Sequence, residues 1–218
     1  GVVDEPQPRR AVSAVIDDGN PFVGARPCWT SPARHQAYCA RDTEQRALLF
    51  LLRAPCAVIL HGGAGVGKTS LLRVDLLPTL AVSGYTVLAP QPGWSGEEVL
   101  DWFVQVCQTL PAGPCVLVVD PADRLVVSVP HGNGSAMLPT CLTLLAGAPQ
   151  VRLLCSVRSP QVAAMDQALR QAGLTVHEYA LGALAPARVS ATLMHLFDQT
   201  EAEQLRPFMA ALCQPASG

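Results

Sequence analysis

From about residue 50 to about residue 180, short unbroken apolar runs alternate with stretches whose apolar positions recur every three or four residues. The apolar runs, bounded by turn formers, predict a short buried strand at Cys56–Leu60 and further strands at Thr86–Ala89, Val116–Val119, Val151–Val157 and Leu174–Tyr179. The helical periodicity predicts helices at Thr69–Val82, Gly96–Leu110, Leu138–Ala146, Gln161–Ala172 and Pro186–Phe197. Pro78 falls near the end of its helix, where a missing N–H is tolerated, and Pro130–Ser135 reads as a turn-rich loop. No polar residue interrupts Val116–Val119, so both faces of that strand are expected to be covered. Strands alternating with helices predict a doubly wound α/β layer around a parallel sheet.

The 218 residues are 50% hydrophobic and 15% charged, a balance that excludes disorder throughout and allows a sizeable core. The net charge of −2 is shared equally between residues 1–109 and 110–218, with no basic block, which argues against a nucleic-acid binder held by bulk charge. The best candidate for a membrane segment, Leu48–Leu60, is broken by Arg53, so no membrane partner is expected. No two of the eight cysteines fall within four residues of one another, so zinc-knuckle spacing is absent. Cys115 and Cys155 lie inside apolar runs, as reduced and buried small hydrophobes do, and the N-terminus has no apolar leader pattern. Both features are the expectation for a cytoplasmic protein. Residues 1–20, with Pro6, Pro8 and Asp17-Asp18-Gly19-Asn20, read as a linker. The abrupt end after a helical pattern suggests a piece of a longer chain.

Of the 15 basic residues, one is a lysine, and it lies in His61-Gly-Gly-Ala-Gly-Val-Gly-Lys-Thr-Ser70. Gly62 to Thr69 satisfy G-x-x-x-x-G-K-[ST], between a predicted strand and a predicted helix. Gly62, Gly63, Ala64, Gly65, Val66 and Gly67 then form a loop whose N–H groups converge on phosphate oxygens, helped by the positive end of the following helix. Lys68 supplies a point charge for the β- and γ-phosphates, Thr69 a hydroxyl for Mg²⁺, and Ser70 completes the set of residues expected to bind the nucleotide. His61 reads as a strand-end residue. About 50 residues on, Val116-Leu-Val-Val-Asp120-Pro-Ala-Asp123 has the form of a Walker B strand. Asp120 suits Mg²⁺, and Asp123 suits either positioning the attacking water or starting a helix. Arg158, ending a later strand, suits a sensor of the γ-phosphate at the edge where open α/β sheets bind ligands.

The segments Asn20-Pro-Phe-Val-Gly24-Ala-Arg-Pro, Ala40-Arg41-Asp42-Thr-Glu44 and Gly67-Lys-Thr-Ser-Leu-Leu-Arg73-Val-Asp-Leu-Leu-Pro78-Thr-Leu resemble the STAND class of signal-transducing P-loop NTPases. The resemblance is to its NACHT-like, novel STAND branch and covers about residues 20–180. It implies an ASCE P-loop fold with a five-stranded parallel sheet in the order 5-1-4-3-2, helices on both faces, and Arg41 near the adenine or ribose. It also implies a nucleotide-binding domain over 21–180 and the start of a helical subdomain over 181–218. The family's Phe-Gly before Arg41 is Cys39-Ala40 here, and Arg124 stands where its second acidic residue does.

The function expected on this basis is a switch. Binding of ATP or ADP with Mg²⁺ controls self-association or contact with neighbouring domains, and hydrolysis is slow because Arg124 replaces a carboxylate. The alternatives are an AAA-like remodelling ATPase, with an arginine finger supplied in trans for which Arg170 is the candidate, and a degenerate scaffold that binds no nucleotide.

Overall fold

The computed structural model describes residues 41–91, 94–127 and 133–185. The linker expected at 1–20, the motif residues before Arg41, Cys28, Cys39 and Cys213 lie outside these residues. So do Pro130–Gly132, the helix expected at Pro186–Phe197 and all but the first five residues of the 181–218 segment.

Helix α1 (Asp42–Leu51) precedes strand β1 (Ala57–Gly62). The phosphate loop then leads into one helical run over residues 68–82, here α2. Strand β2 (Thr86–Leu88), helix α3 (Gly96–Gln108), strand β3 (Cys115–Val119) and the short helix α4 (Asp123–Val127) follow. Helix α5 (Asn133–Ala146), strand β4 (Val151–Arg158), helix α6 (Val162–Gln171) and strand β5 (Val176–Ala180) complete the described fold. The sheet has the order β2-β3-β4-β1-β5, and all four pairings within it are parallel. That is the order 5-1-4-3-2 read from the other edge.

Alternation of side chains places the two faces of the sheet against different helices. Ile59, Leu117, Val119, Leu153 and Cys155 pack with Phe103, Leu142, Met165 and Leu169 of α3, α5 and α6. Val58, Leu60, Val116, Val118 and Leu154 pack with Leu48 and Leu52 and with Leu71, Leu72, Leu76 and Leu80 of α2. All five residues of β3 are buried, which is the two-sided cover its apolar run predicts.

Three elements differ from the sequence-based expectation. Helix α1 was not anticipated: Ala47–Leu52 is too apolar to show a polar face, but Asp42 and Glu44 sit in its first turn, where a helix dipole favours acids. Helix α5 begins at Asn133, inside the expected turn-rich loop. The run α2 is not uniform. It is α-helical at Lys68–Ser70, π-helical at Leu71–Leu76 and α-helical again at Leu77–Val82. The Leu77 N–H donates to the Leu72 carbonyl, and the next residue, Pro78, has no N–H for an ordinary helical bond to Val74. The wider turn accommodates that missing donor.

Candidate nucleotide-binding site

Parallel strands all point the same way, so the ends of β1, β3, β4 and β5 meet at one edge of the sheet. The phosphate loop leaves β1 there, Asp120 leaves β3, Arg158 ends β4, and Leu181 follows β5. Gly67 adopts φ 97°, a left-handed conformation that turns the loop into α2 and that a side chain rarely accepts. Gly62 meets a different demand. A Cβ there would lie 2.5 Å from the Leu181 carbonyl oxygen, so glycine allows the chain after β5 to press against the loop. The Leu181 N–H donates to the His61 carbonyl at 2.7 Å and holds that approach.

A cavity of about 650 Å³ opens between these two segments. His61 and loop residues 62–66 line one wall, and Ala180–Ala183 line the other, with Ser159 at the side. This second wall comes from Ala180, Leu181, Gly182 and Ala183, small or apolar residues that left no signal in the sequence.

Lys68 folds back over the loop, its Nζ donating to the carbonyls of Gly62 (2.8 Å) and Gly63 (2.9 Å). Burial pushes its pKa down, against the opposing pull of Asp123 and Asp120, while Arg158 adds to the lowering. Lys68, Asp120, Asp123 and Arg158 therefore share one electrostatic neighbourhood, as their spacing along the chain suggested. Thr69 and Ser70 lie half-buried in the first turn of α2. Asp120 is buried at the end of β3.

Arg73 joins this group. Burial lowers its pKa and Asp120 opposes the lowering, while its Nη2 donates to the Pro90 carbonyl at 3.1 Å. The sequence held a signal for it, since Arg73 follows Thr69 by four residues and so shares its helix face.

Asp123 is engaged rather than free. Its Oδ1 accepts the Arg158 backbone N–H at 2.8 Å, and its Oδ2 accepts the Arg158 Nε at 3.3 Å. The Arg158 side chain is otherwise 61% exposed at the edge of the site. Of Arg124, only the backbone in α4 is described.

Arg41 is 3% exposed and stands behind the cavity wall. Its Nη2 donates to the carbonyls of Val66 and Gly182, each at 2.9 Å, and its Nη1 to Glu44 at 3.1 Å. It touches both walls of the cavity without lining it.

Arg170 lies at the other edge of the sheet. It ends α6, next to Val176 at the start of β5, and its Nε donates to both Asp166 carboxylate oxygens at 2.8 Å.

These features fit a nucleotide with Mg²⁺. The loop turns through left-handed Gly65 and Gly67 and offers a lysine held by the Gly62 and Gly63 carbonyls, and an oxygen donor set of Thr69 and Asp120 suits a hard cation.

With β4 inserted between β1 and β3, the fold and the loop define a P-loop NTPase of the ASCE type. In sequence the chain is similar to AAA-type ATPases. It is 32% identical over 146 residues to ATPase family gene 2 protein homolog B of Homo sapiens and 34% identical over 146 residues to that of Bos taurus. Each match takes in 63% of this chain and 19% of the relative, so the chain spans about a fifth of the curated proteins it matches. No family model matches. Among solved structures, AMPPCP-bound DnaA from Aquifex aeolicus is 16% identical with a TM-score of 0.49, covering 78% of this chain and 55% of that one. The Aeropyrum pernix Orc1 protein in complex with DNA is 20% identical with a TM-score of 0.48, covering 79% and 54%. The STAND assignment finds no support in the sequence relatives, which are AAA-family ATPases.

Proposed function

We propose that the chain is the nucleotide-binding part of an AAA-type ATPase that remodels a macromolecular partner, the alternative raised from the sequence rather than the switch. The observation that carries this reading is the similarity to ATPase family gene 2 protein homolog B, combined with a complete phosphate loop. In this reading the triphosphate draws Lys68 away from the Gly62 and Gly63 carbonyls, and the loop N–H groups take the phosphate oxygens. Thr69 and Asp120 would hold Mg²⁺, which would supply charge neutralisation at the phosphates. The cavity beside the Ala180–Ala183 wall would take the base. Arg158 senses the γ-phosphate, and Arg170, remote from its own site, serves a neighbouring copy.

A slower, switch-like turnover is the second reading. The engagement of both Asp123 oxygens by Arg158 favours it, because no other carboxylate of the motif is placed to position water.

Thermal denaturation and turnover test the proposal together. Mg-ATP and Mg-ADP are expected to stabilise the protein, by about 2.7 kcal/mol at a hundred times Kd. Lys68→Ala removes the shift. Hydrolysis per subunit is expected to rise with protein concentration and to lose that rise in Arg170→Ala. A slow rate independent of concentration selects the switch, and an unchanged melting curve at millimolar nucleotide rejects both readings.

A further inference from the structure

We infer that Arg41 is a positioning residue, a buried guanidinium that clasps the phosphate loop to the chain leaving β5 and passes the nucleotide state from one to the other. The coupling to nucleotide rests on the proposed function, whereas the clasp stands on geometry alone.

A charge at 3% exposure needs partners, and Arg41 finds them on three separate elements. Glu44 on α1 neutralises it at 3.1 Å, and one nitrogen, Nη2, bridges the carbonyls of Val66 and Gly182. These two carbonyls belong to the opposite walls of the same cavity. The guanidinium fork is rigid, so displacing one wall strains the bond to the other.

The bond to Val66 has a further consequence. In a planar trans peptide the C=O and the following N–H point in opposite directions. With the Val66 oxygen held by Arg41, the Gly67 N–H of the same peptide points away from Arg41. Arg41 thus fixes the orientation of the Val66–Gly67 peptide in the loop without lining the cavity. Two neighbouring contacts close the same seam: Gly62 leaves room for the Leu181 carbonyl, and the Leu181 N–H bonds to His61. Any shift of the loop on taking up phosphates is therefore felt at Leu181 and Gly182, the first residues after β5.

Amide hydrogen exchange on the 218-residue chain, with and without Mg-ADP, tests this. In Arg41→Gln without nucleotide, the Leu181 amide should exchange about 10-fold faster or more, the scale of one lost charge-assisted hydrogen bond. The Cys115 amide, bonded to Gln150 across the sheet, should exchange as in the wild type. Mg-ADP should slow Leu181 exchange in the wild type but not in Arg41→Gln, and its Kd should rise about 10-fold in the variant. If Arg41→Gln does not fold, Arg41→Lys is read in its place. It keeps the charge but loses the fork, and should give a smaller change of the same pattern. Unchanged exchange at Leu181, or equal acceleration at Leu181 and Cys115, overturns the clasp. If ADP does not bind the wild type, the nucleotide reading fails, and the comparison without nucleotide still decides the clasp.

Discussion

A carboxylate that activates water must present a lone pair to it, and the two oxygens of Asp123 are both turned to Arg158. Beside them, the Ala122 N–H donates to the Ser156 carbonyl at 2.7 Å, so the turn after β3 is stapled to the end of β4 twice. On this geometry Asp123 is a bracket that sets the height and direction of Arg158. The two roles respond differently to substitution. Asn keeps an oxygen for the Arg158 N–H and loses the ion pair, whereas Ala loses both. Single-turnover hydrolysis is expected to stay within about 10-fold of wild type in Asp123→Asn and to fall further in Asp123→Ala. A general base predicts that both variants lose the same 10²- to 10⁴-fold, and that result would restore Asp123 as the catalyst. The sequence marks Asp123 by its distance from Asp120. It does not reveal the bracket, because the partner lies 35 residues away on another strand. Arg41 shows the same limit more strongly, since one of its acceptors is a backbone carbonyl 141 residues distant.

At the level of elements, legibility followed periodicity. Strands β1, β3 and β4 were evident because buried parallel strands are short and largely apolar, whereas the more exposed β2 and β5 showed only as short segments between turn formers and helices; the glycine-rich loop after β1 marks its own place. Helix α1 was hidden because its apolar residues run into those before β1 without a break, so neither period stands out. The π turn in α2 was hidden because it depends on how a helix adjusts to Pro78, and a hydrophobic pattern does not carry that. Helix α3 is the opposite case, with both ends of its start written in the sequence. The Ser95 hydroxyl accepts the Glu98 N–H at 3.3 Å and a Glu98 carboxylate oxygen accepts the Ser95 N–H at 2.7 Å, a complete capping box. Ser95→Ala is expected to cost about 0.5–2 kcal/mol in chemical denaturation, with the denaturant dependence unchanged. A loss below about 0.3 kcal/mol would mean that α3 is held by its packed face, through Val99, Phe103 and Cys107, and not by its cap.

Across the whole molecule, the two cores share a property that neither site nor motif discloses. Cys56, Cys107, Cys115, Cys141 and Cys155 are buried and free of disulfides, and burial pushes each thiol above its ordinary pKa of 9.0. Cys155, in the centre of β4, is pushed up to about 12. A group whose pKa is raised on folding contributes stability that is fully present below the unfolded value and disappears as pH climbs through the folded one. For Cys155 that window runs from 9.0 to about 12, because the unfolded chain ionises the thiol there while the folded chain does not. The loss amounts to about 1.4 kcal/mol at pH 10 from this thiol alone. Stability measured by denaturant titration should therefore be level up to about pH 8.5 and fall steadily beyond it. Cys155→Ala has a cavity cost that is the same at every pH, so it should lower the plateau yet flatten the decline above pH 9. The difference between the two curves is what isolates the thiol, since tyrosines, lysine and arginines are common to both proteins. Parallel curves from pH 7 to pH 11 would show that Cys155 reaches solvent readily in the folded state, and that the middle of the sheet is less closed than its packing indicates.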